Sequence, residues 1–196
     1  MRTRDTQKEE LVKQKAVEMI VADGLEGFSV NKLAKVCGIS VATLYIYYKD
    51  KDDLIVKIAL EEAAKMSAAV LDGFDPEVLF EEGLRQQWKN RSKHMIENPG
   101  ATLFFEQLRT SSYHDSVFQA IVKDFKESMS KFMRNAVERG EINPLPLEVF
   151  WSVAFAPMYN LVRFNNEGKS IGGKPFTLTD EILWQTFTLV IKALKK

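Results

Sequence analysis

Apolar residues along this chain recur every three or four positions and almost never alternate, which is the pattern of amphipathic helices. Val12, Ala16, Met19 and Ile20 share one side of a helix that the spacing starts near Thr6, where Thr6-x-x-Glu9 has capping-box form, and ends at Gly24. Ser29 is placed to cap a short helix carrying Val30, Leu33 and Ala34. Cys37-Gly38-Ile39 then forms a three-residue break with glycine where positive φ is needed, and Ser40 caps a second short helix from Val41 to about Tyr48. Asp50-Lys51-Asp52-Asp53 opens a long helix through Leu54, Ile58 and Ala59 to about Leu71, its carboxylates at the positive end. Asp75-Pro76-Glu77 and Asn98-Pro99 read as cap-plus-proline starts of helices over about 77–97 and 99–112. A further helix covers about 116–138. After Asn143-Pro144-Leu145-Pro146 another runs over about 147–166, kinked at Pro157, and residues 168–178 read as loop. The last helix, from about Thr179, has two apolar faces: Leu183, Phe187, Val190, Ile191 and Leu194 on one, Ile182, Leu189 and Ala193 on the other. The expected fold class is all-α.

Composition narrows the chemistry. The 196 residues are 45% hydrophobic and 28% charged, the balance of a packed globular chain. One cysteine, Cys37, and two histidines, His94 and His114, leave no disulfide and no thiolate or imidazole metal cluster, so no cofactor is expected and a reducing cytoplasm fits best. Met1 to Glu10 has no apolar leader, and the longest charge-free apolar stretch, Val149 to Val162, is too short for a span of about 20 residues, so no membrane partner is expected. A formal net charge of zero argues against a nonspecific coat on nucleic acid or anionic lipid. Locally the balance differs: Gly27 to Lys49 contains Lys32, Lys35 and Lys49 but neither Asp nor Glu.

That window coincides with the two short helices. Leu33, Ala34, Ile39 and Leu44 can close a small core that sets them at a steep angle, leaving Thr43 and Tyr47 outward, which is the form of a helix-turn-helix. By spacing alone the segment also fits an ordinary helical corner. The run Gly24-x-x-Gly27-Phe28-Ser29-Val30-x-x-Leu33-Ala34-x-x-Cys37-Gly38-Ile39-Ser40-x-x-Thr43-Leu44-Tyr45-x-Tyr47-Tyr48-x-x-Lys51-x-x-Leu54 resembles the N-terminal segment of TetR-family transcriptional regulators. The resemblance implies a three-helix DNA-binding domain over residues 1–50, a helical ligand-binding and dimerisation domain over 51–196, and a homodimer on a near-palindromic DNA operator, released by a small, largely apolar effector. It assigns phosphate contacts to Ser29, Thr43, Tyr47 and Lys51, base-edge positions to Asn31, Val41, Ala42 and Tyr45, and counts Ser40 among the DNA-binding residues. Many relatives carry Lys, Arg or Gln where Val41 stands, so readout here is less polar. Tyr45 also fits partial core packing, while Tyr48 and Cys37 are expected in the core. Repressor and activator are not separable at this level.

The remaining helices are rich in rings, and large rings with a few polar atoms characterise small-molecule sites. Trp88, Phe104, Phe105, Arg109, Tyr113, Phe125, Trp151, Phe155 and Tyr159 are the pocket candidates. A terminal helix apolar on two sides needs a second molecule on one of them, so Trp151, Phe155, Ile182, Leu183, Phe187, Val190 and Leu194 are the candidate dimer residues. Catalytic motifs fit poorly. Gly168-Lys169-Ser170-Ile171-Gly172 matches G-x-S-x-G, but no histidine follows it, and Ser128-x-x-Lys131 stands alone in a helix. A helical binding module that never meets DNA is the rival reading.

Overall fold

The computed structural model describes residues 2–196, which contain ten α-helices and two isolated antiparallel bridges. The helices are α1 (Arg2–Gly27), α2 (Val30–Val36), α3 (Val41–Tyr47), α4 (Lys51–Leu71), α5 (Phe80–Glu97), α6 (Pro99–Arg109), α7 (His114–Glu138), α8 (Leu147–Ala154), α9 (Ala156–Glu167) and α10 (Asp180–Leu194). They gather into two compact units. The first comprises residues up to Lys65 with Asn98–Ile121, the second Met66–Glu97 with Val122–Lys196.

The first unit closes over Val12, Ala16 and Ile20 of α1, Leu33 and Ala34 of α2, Leu44 of α3, Leu54, Ile55, Ile58 and Ala59 of α4, and Phe104 and Leu108 of α6. The boundary expected after residue 50 cuts through this core, because the first half of α4 belongs to it. α1 starts before Thr6, so the Thr6-x-x-Glu9 pattern lies inside the helix. At Gly24 the backbone does take positive φ (73°), and one more turn follows before Phe28 donates its N–H to the Gly24 carbonyl at 3.1 Å. The α4 start is a reciprocal cap: Asp53 N–H donates to Asp50 Oδ1 at 2.8 Å, and Lys49 N–H to Asp53 Oδ2 at 2.9 Å.

The second unit is built on Phe80, Leu84 and Trp88 of α5, Phe132 of α7, Phe150 and Ala154 of α8, Met158 and Val162 of α9, and the inner face of α10. α5 begins at Phe80, later than the Asp75-Pro76 pattern suggests. The Asp75 carboxylate accepts from Glu77 N–H at 2.8 Å in a local turn, and Glu141 Oε2 accepts the Phe80 N–H at 2.6 Å, so the helix is capped from a distant segment. The helix expected over 147–166 is interrupted at Phe155 (φ −121°, ψ −34°), with Pro157 in the first turn of α9. The Ala154 carbonyl at this break accepts the Trp88 indole N–H at 2.7 Å.

Two expected outcomes test this packing. Gly83 lies in α5 where an added Cβ would overlap the buried Phe132 ring. Gly83→Ala, which in an open helix would stabilise, is expected to destabilise by about 1–3 kcal/mol through overpacking, measured by urea unfolding.

The second outcome concerns acid. Lys13 bridges Glu9 (3.1 Å) and Glu61 (2.6 Å), tying α1 to α4, and within α4 Lys65 reaches Glu61 (3.3 Å) and Glu62 (2.8 Å). Partial burial raises the Glu61 pKa, but the bond from Lys13 and the nearby ammonium charges outweigh it, leaving the carboxyl below its ordinary value. Asp53 is also lowered, first by its bond with Lys57 and then by the Lys49 N–H. Groups with depressed folded pKa values make the unfolded chain the better proton acceptor, so this stabilisation is present above roughly pH 4.5 and is lost as pH falls through the folded values. Urea midpoints measured from pH 7 down to pH 3 should fall, and fall less in Glu61→Gln.

Candidate nucleic-acid interface

α2 and α3 are held by a tight turn. Cys37 N–H donates to the Leu33 carbonyl at 2.9 Å, Ile39 N–H to the Ala34 carbonyl at 3.0 Å, and Gly38 takes φ 66° between them. α3 starts at Ser40, whose Oγ accepts the Thr43 N–H at 3.1 Å and shares a 2.8 Å hydrogen bond with Thr43 Oγ1. Ser29 occupies the cap position of α2 but makes no side-chain cap bond. Leu33, Ala34 and Leu44 are buried, and Tyr48 lies in the core with burial pushing its phenol up to about 12.

With Leu44 fixed inward, the outward face of α3 is Ala42, Tyr45 and Ile46. Tyr45 is 52% exposed, which places it on the surface rather than in the core, and Ile46 is 77% exposed. Thr43 and Tyr47 were expected outward. They stand instead on the flank, half-buried, where they line a small depression with Val12 and Ile39. Val41 is half-buried against the same core, while Asn31 on α2 is exposed. α3 carries no charged side chain. The exposed cations nearby are Lys32 and Lys35 of α2, neither of which makes a salt bridge among the described residues.

Lys51 departs from the expected phosphate contact. Its ammonium donates to the carbonyls of Leu25 (2.9 Å) and Phe28 (3.0 Å), so two of its three N–H bonds hold the end of α1 against the start of α4. Ile46 was missed by the sequence reading. It lies four residues beyond Ala42 and one beyond Tyr45, so facing the helix from Leu44 would have found it.

The nine pocket candidates do not gather. Phe104, Phe105, Arg109 and Tyr113 belong to the first unit: Phe104 is core, Arg109 is exposed and paired with Glu106 at 3.2 Å, and the Tyr113 hydroxyl donates to Asp52 at 2.6 Å. Trp88 is committed to the second core through its bond to Ala154. Phe125, Trp151, Phe155 and Tyr159 remain together, around Arg91. A depression of about 170 Å³ lined by Ser92, Leu183 and Trp184 includes none of the nine.

Five of the seven dimer candidates are likewise spent inside the protomer. Phe155, Leu183, Phe187, Val190 and Leu194 are buried in the second unit's own core, because the stripe that faces α5 and α9 takes the larger side chains of α10. The apolar residues left outside are Leu147, Val149 and Trp151 on α8, with Leu189 and the half-buried Ile182 on α10. Gly168–Gly172 forms a small reverse turn in which Ser170 N–H donates to the Lys174 carbonyl at 2.8 Å, without a preceding strand. Among the described residues no group of His, Cys, Asp and Glu is arranged to hold a metal ion, and no helix is long and apolar enough to cross a membrane.

Two short helices with their own core, a tight turn and an outward face on the second helix have the form of a DNA-binding helix-turn-helix. Residues 14–58 match the model of the bacterial regulatory proteins of the tetR family. The chain is 27% identical over 179 residues to an HTH-type transcriptional regulator of Haemophilus influenzae, covering 91% of this chain and 90% of that one. It superposes on a TetR family transcription regulator from Marinobacter aquaeolei VT8 with a TM-score of 0.85 at 27% identity, covering 100% of both chains. A TetR-family transcriptional regulator from Haemophilus influenzae Rd gives a TM-score of 0.75 at 25% identity, over 98% of this chain and 99% of that one. Residues 14–58 thus match the tetR-family segment, and over its length the chain is similar to TetR-family transcriptional regulators. Its architecture is a helix-turn-helix domain with a helical C-terminal part.

Lys51→Met is expected to lower stability by about 1–3 kcal/mol, the cost of leaving buried acceptors without their donor, read from urea unfolding without DNA. An unchanged midpoint would show that the ammonium does not hold the Leu25 and Phe28 carbonyls in solution.

Proposed function

We propose that the protein acts as a homodimeric repressor on a near-palindromic operator and is released by a small molecule held in its second unit. The observation that carries the DNA half of this reading is the α3 face of Ala42, Tyr45 and Ile46. It is exposed, uncharged and flanked by unpaired lysines, so it suits close approach to base edges and thymine methyls in a major groove. Asn31 supplies a polar contact suited to adenine. Ser40, Thr43 and Tyr47 contact phosphates from the flank, and Lys51 positions α4 and offers its third N–H to the backbone.

The dimer face is assigned to α8 and α10, which pack side by side. Leu147 is 68% and Leu189 61% exposed, and with Trp151 and Ile182 they form an outer apolar stripe of the kind that a second copy covers. A monomer in sedimentation at micromolar concentration would overturn this assignment, and Leu189→Asp is expected to produce one. The protein is placed in the cytoplasm, where its DNA is.

The test of the whole reading is selection of duplexes from a random pool with the purified protein at about 50 mM salt, where phosphate contacts are strong. A twofold-symmetric motif is expected. Tyr45→Ala and Ile46→Ala should each relax preference at particular base pairs, at about 1–3 kcal/mol per lost contact, while Lys35→Ala should weaken all duplexes alike and reduce the salt slope by about 1. A pool without enrichment would support a helical binding module that does not read DNA. The effector half is tested separately, by native mass spectrometry of protein incubated with a cell extract and by recovery of operator release with the bound compound.

A further inference from the structure

We infer that Arg91 anchors the head group of a small organic monocarboxylate, with the surrounding rings holding its apolar body. This deepens the effector reading above and rests on it. Arg91 lies in the middle of α5 and is only 6% exposed, yet no carboxylate among the described residues pairs with it. Its Nε–H donates to Gln87 Oε1 at 3.1 Å and one Nη1–H to the Tyr159 hydroxyl at 2.8 Å. A guanidinium has five N–H bonds, and two of them are used on acceptors among the described residues, which leaves three to offer.

The surroundings do not repair this. The guanidinium carbon lies 4.7 Å from the Phe155 ring centre, 5.3 Å from that of Phe125 and 5.4 Å from that of Trp151. Ring faces attract a cation but accept no hydrogen bond of ordinary strength, and a buried charge without an opposite charge is costly. In the same unit Ser67 Oγ, in a residue 4% exposed, has no partner among the described residues. The Gln87 side chain donates to the Val70 carbonyl at 3.0 Å, while Asn90 and Gln86 reach the Asp72 carbonyl, which ties α5 to the end of α4.

The fork is therefore oriented in an aromatic surround, and no carboxylate among the described residues pairs with it. Gln87 holds that orientation: its amide N–H is fixed on Val70, so its oxygen must face Arg91. One buried cation balances one negative charge. A phosphate dianion would bring a second charge into an apolar setting, whereas a carboxylate matches the fork in charge and in its two parallel acceptors. The rings select an aromatic or aliphatic body, so the effector is amphiphilic rather than uniformly apolar.

The experiment titrates the full chain with decanoate and 3-phenylpropionate, each against its primary amide, following tryptophan fluorescence, which Trp151 beside Arg91 makes sensitive. At least one acid is expected to bind about tenfold or more tighter than its amide, the discrimination a charge-assisted bidentate pair provides. In R91M that preference should shrink to within about twofold while the amide's affinity stays the same, consistent with loss of the charge pair alone. R91K, which keeps the charge and most of the volume, should retain a reduced preference and carries the test if R91M does not fold. Equal binding of acid and amide, an undiminished preference in R91M or R91K, or binding of none of the four probes overturns the assignment of Arg91. Operator release by amides as well as acids would sink the anion assignment while leaving an effector-responsive regulator in place, and the extract experiment decides that broader reading independently.

Discussion

Burial of Leu44 is the constraint on which the DNA-reading half depends. α3 has only seven residues, too few to be stable as an isolated helix, so its existence and its rotation both come from packing. Leu44 enters the core beside Leu33 and Ala34, and Tyr48 follows one turn later. Once these two are inside, the 100° step of the helix leaves Ala42, Tyr45 and Ile46 outside and sends Thr43 and Tyr47 to the flank. The Ser40 cap and the Gly38 turn fix where the helix begins. Lys51 then closes the far end by joining the carbonyls of Leu25 and Phe28 to the start of α4. The recognition surface is thus a by-product of core packing, and its chemistry is whatever the sequence places at three solvent-facing positions.

The second unit poses the opposite problem. Its core is dense in rings, with Phe80, Trp88, Phe132, Phe150, Phe155 and Phe187 all buried, and such a core gains nothing from a guanidinium. Arg91 is nevertheless held there, oriented by Gln87 and Tyr159. Trp151 links two surfaces of this unit, since its ring stands over Arg91 while the residue remains exposed on the α8 face proposed for dimerisation. On the proposed reading, a ligand held by Arg91 and its rings therefore acts on a side chain that a partner copy also touches, which gives binding and dimer geometry a shared element.

Much of this was legible in the sequence, for reasons that differ by element. Helix starts written in local chemistry, such as Asp50 before α4 or Thr179 before α10, fall where read, because a side-chain acceptor three residues ahead of a free N–H is a local event. The α5 start was not legible, since its cap is the carboxylate of Glu141, 61 residues away. The dimer residues failed for a related reason. Periodicity shows that α10 has two apolar faces but not which one the chain's own core consumes, and the larger side chains went inward. The pocket candidates rested on ring content alone, and ring content does not distinguish Phe104 in one core from Phe155 in another. Arg91 is not legible from ring content, since it stands among Lys89, Asn90, Ser92 and Lys93, where an arginine reads as solvated.

The charge distribution bears on the proposed use of two copies on DNA. Net charge is zero and α3 is uncharged, so a single helix-turn-helix neutralises few phosphates and its nonspecific affinity is weak, roughly 10⁻⁴ to 10⁻⁶ M even for typical binders. Contacts from three side chains to base edges, at about 1–3 kcal/mol each, bring one module to an operator complex of about 10⁻⁸ M or tighter only when all of them are good. Two modules on one duplex change the arithmetic, because the second binds at the high effective concentration set by the first. In the proposed dimer the same weakness makes release easy. When affinity depends on simultaneous engagement of two half-sites about one helical turn apart, a small change in their separation forfeits one whole module, and an effector need only prefer the mis-spaced state. A more basic recognition face would bind more tightly and would lose that sensitivity.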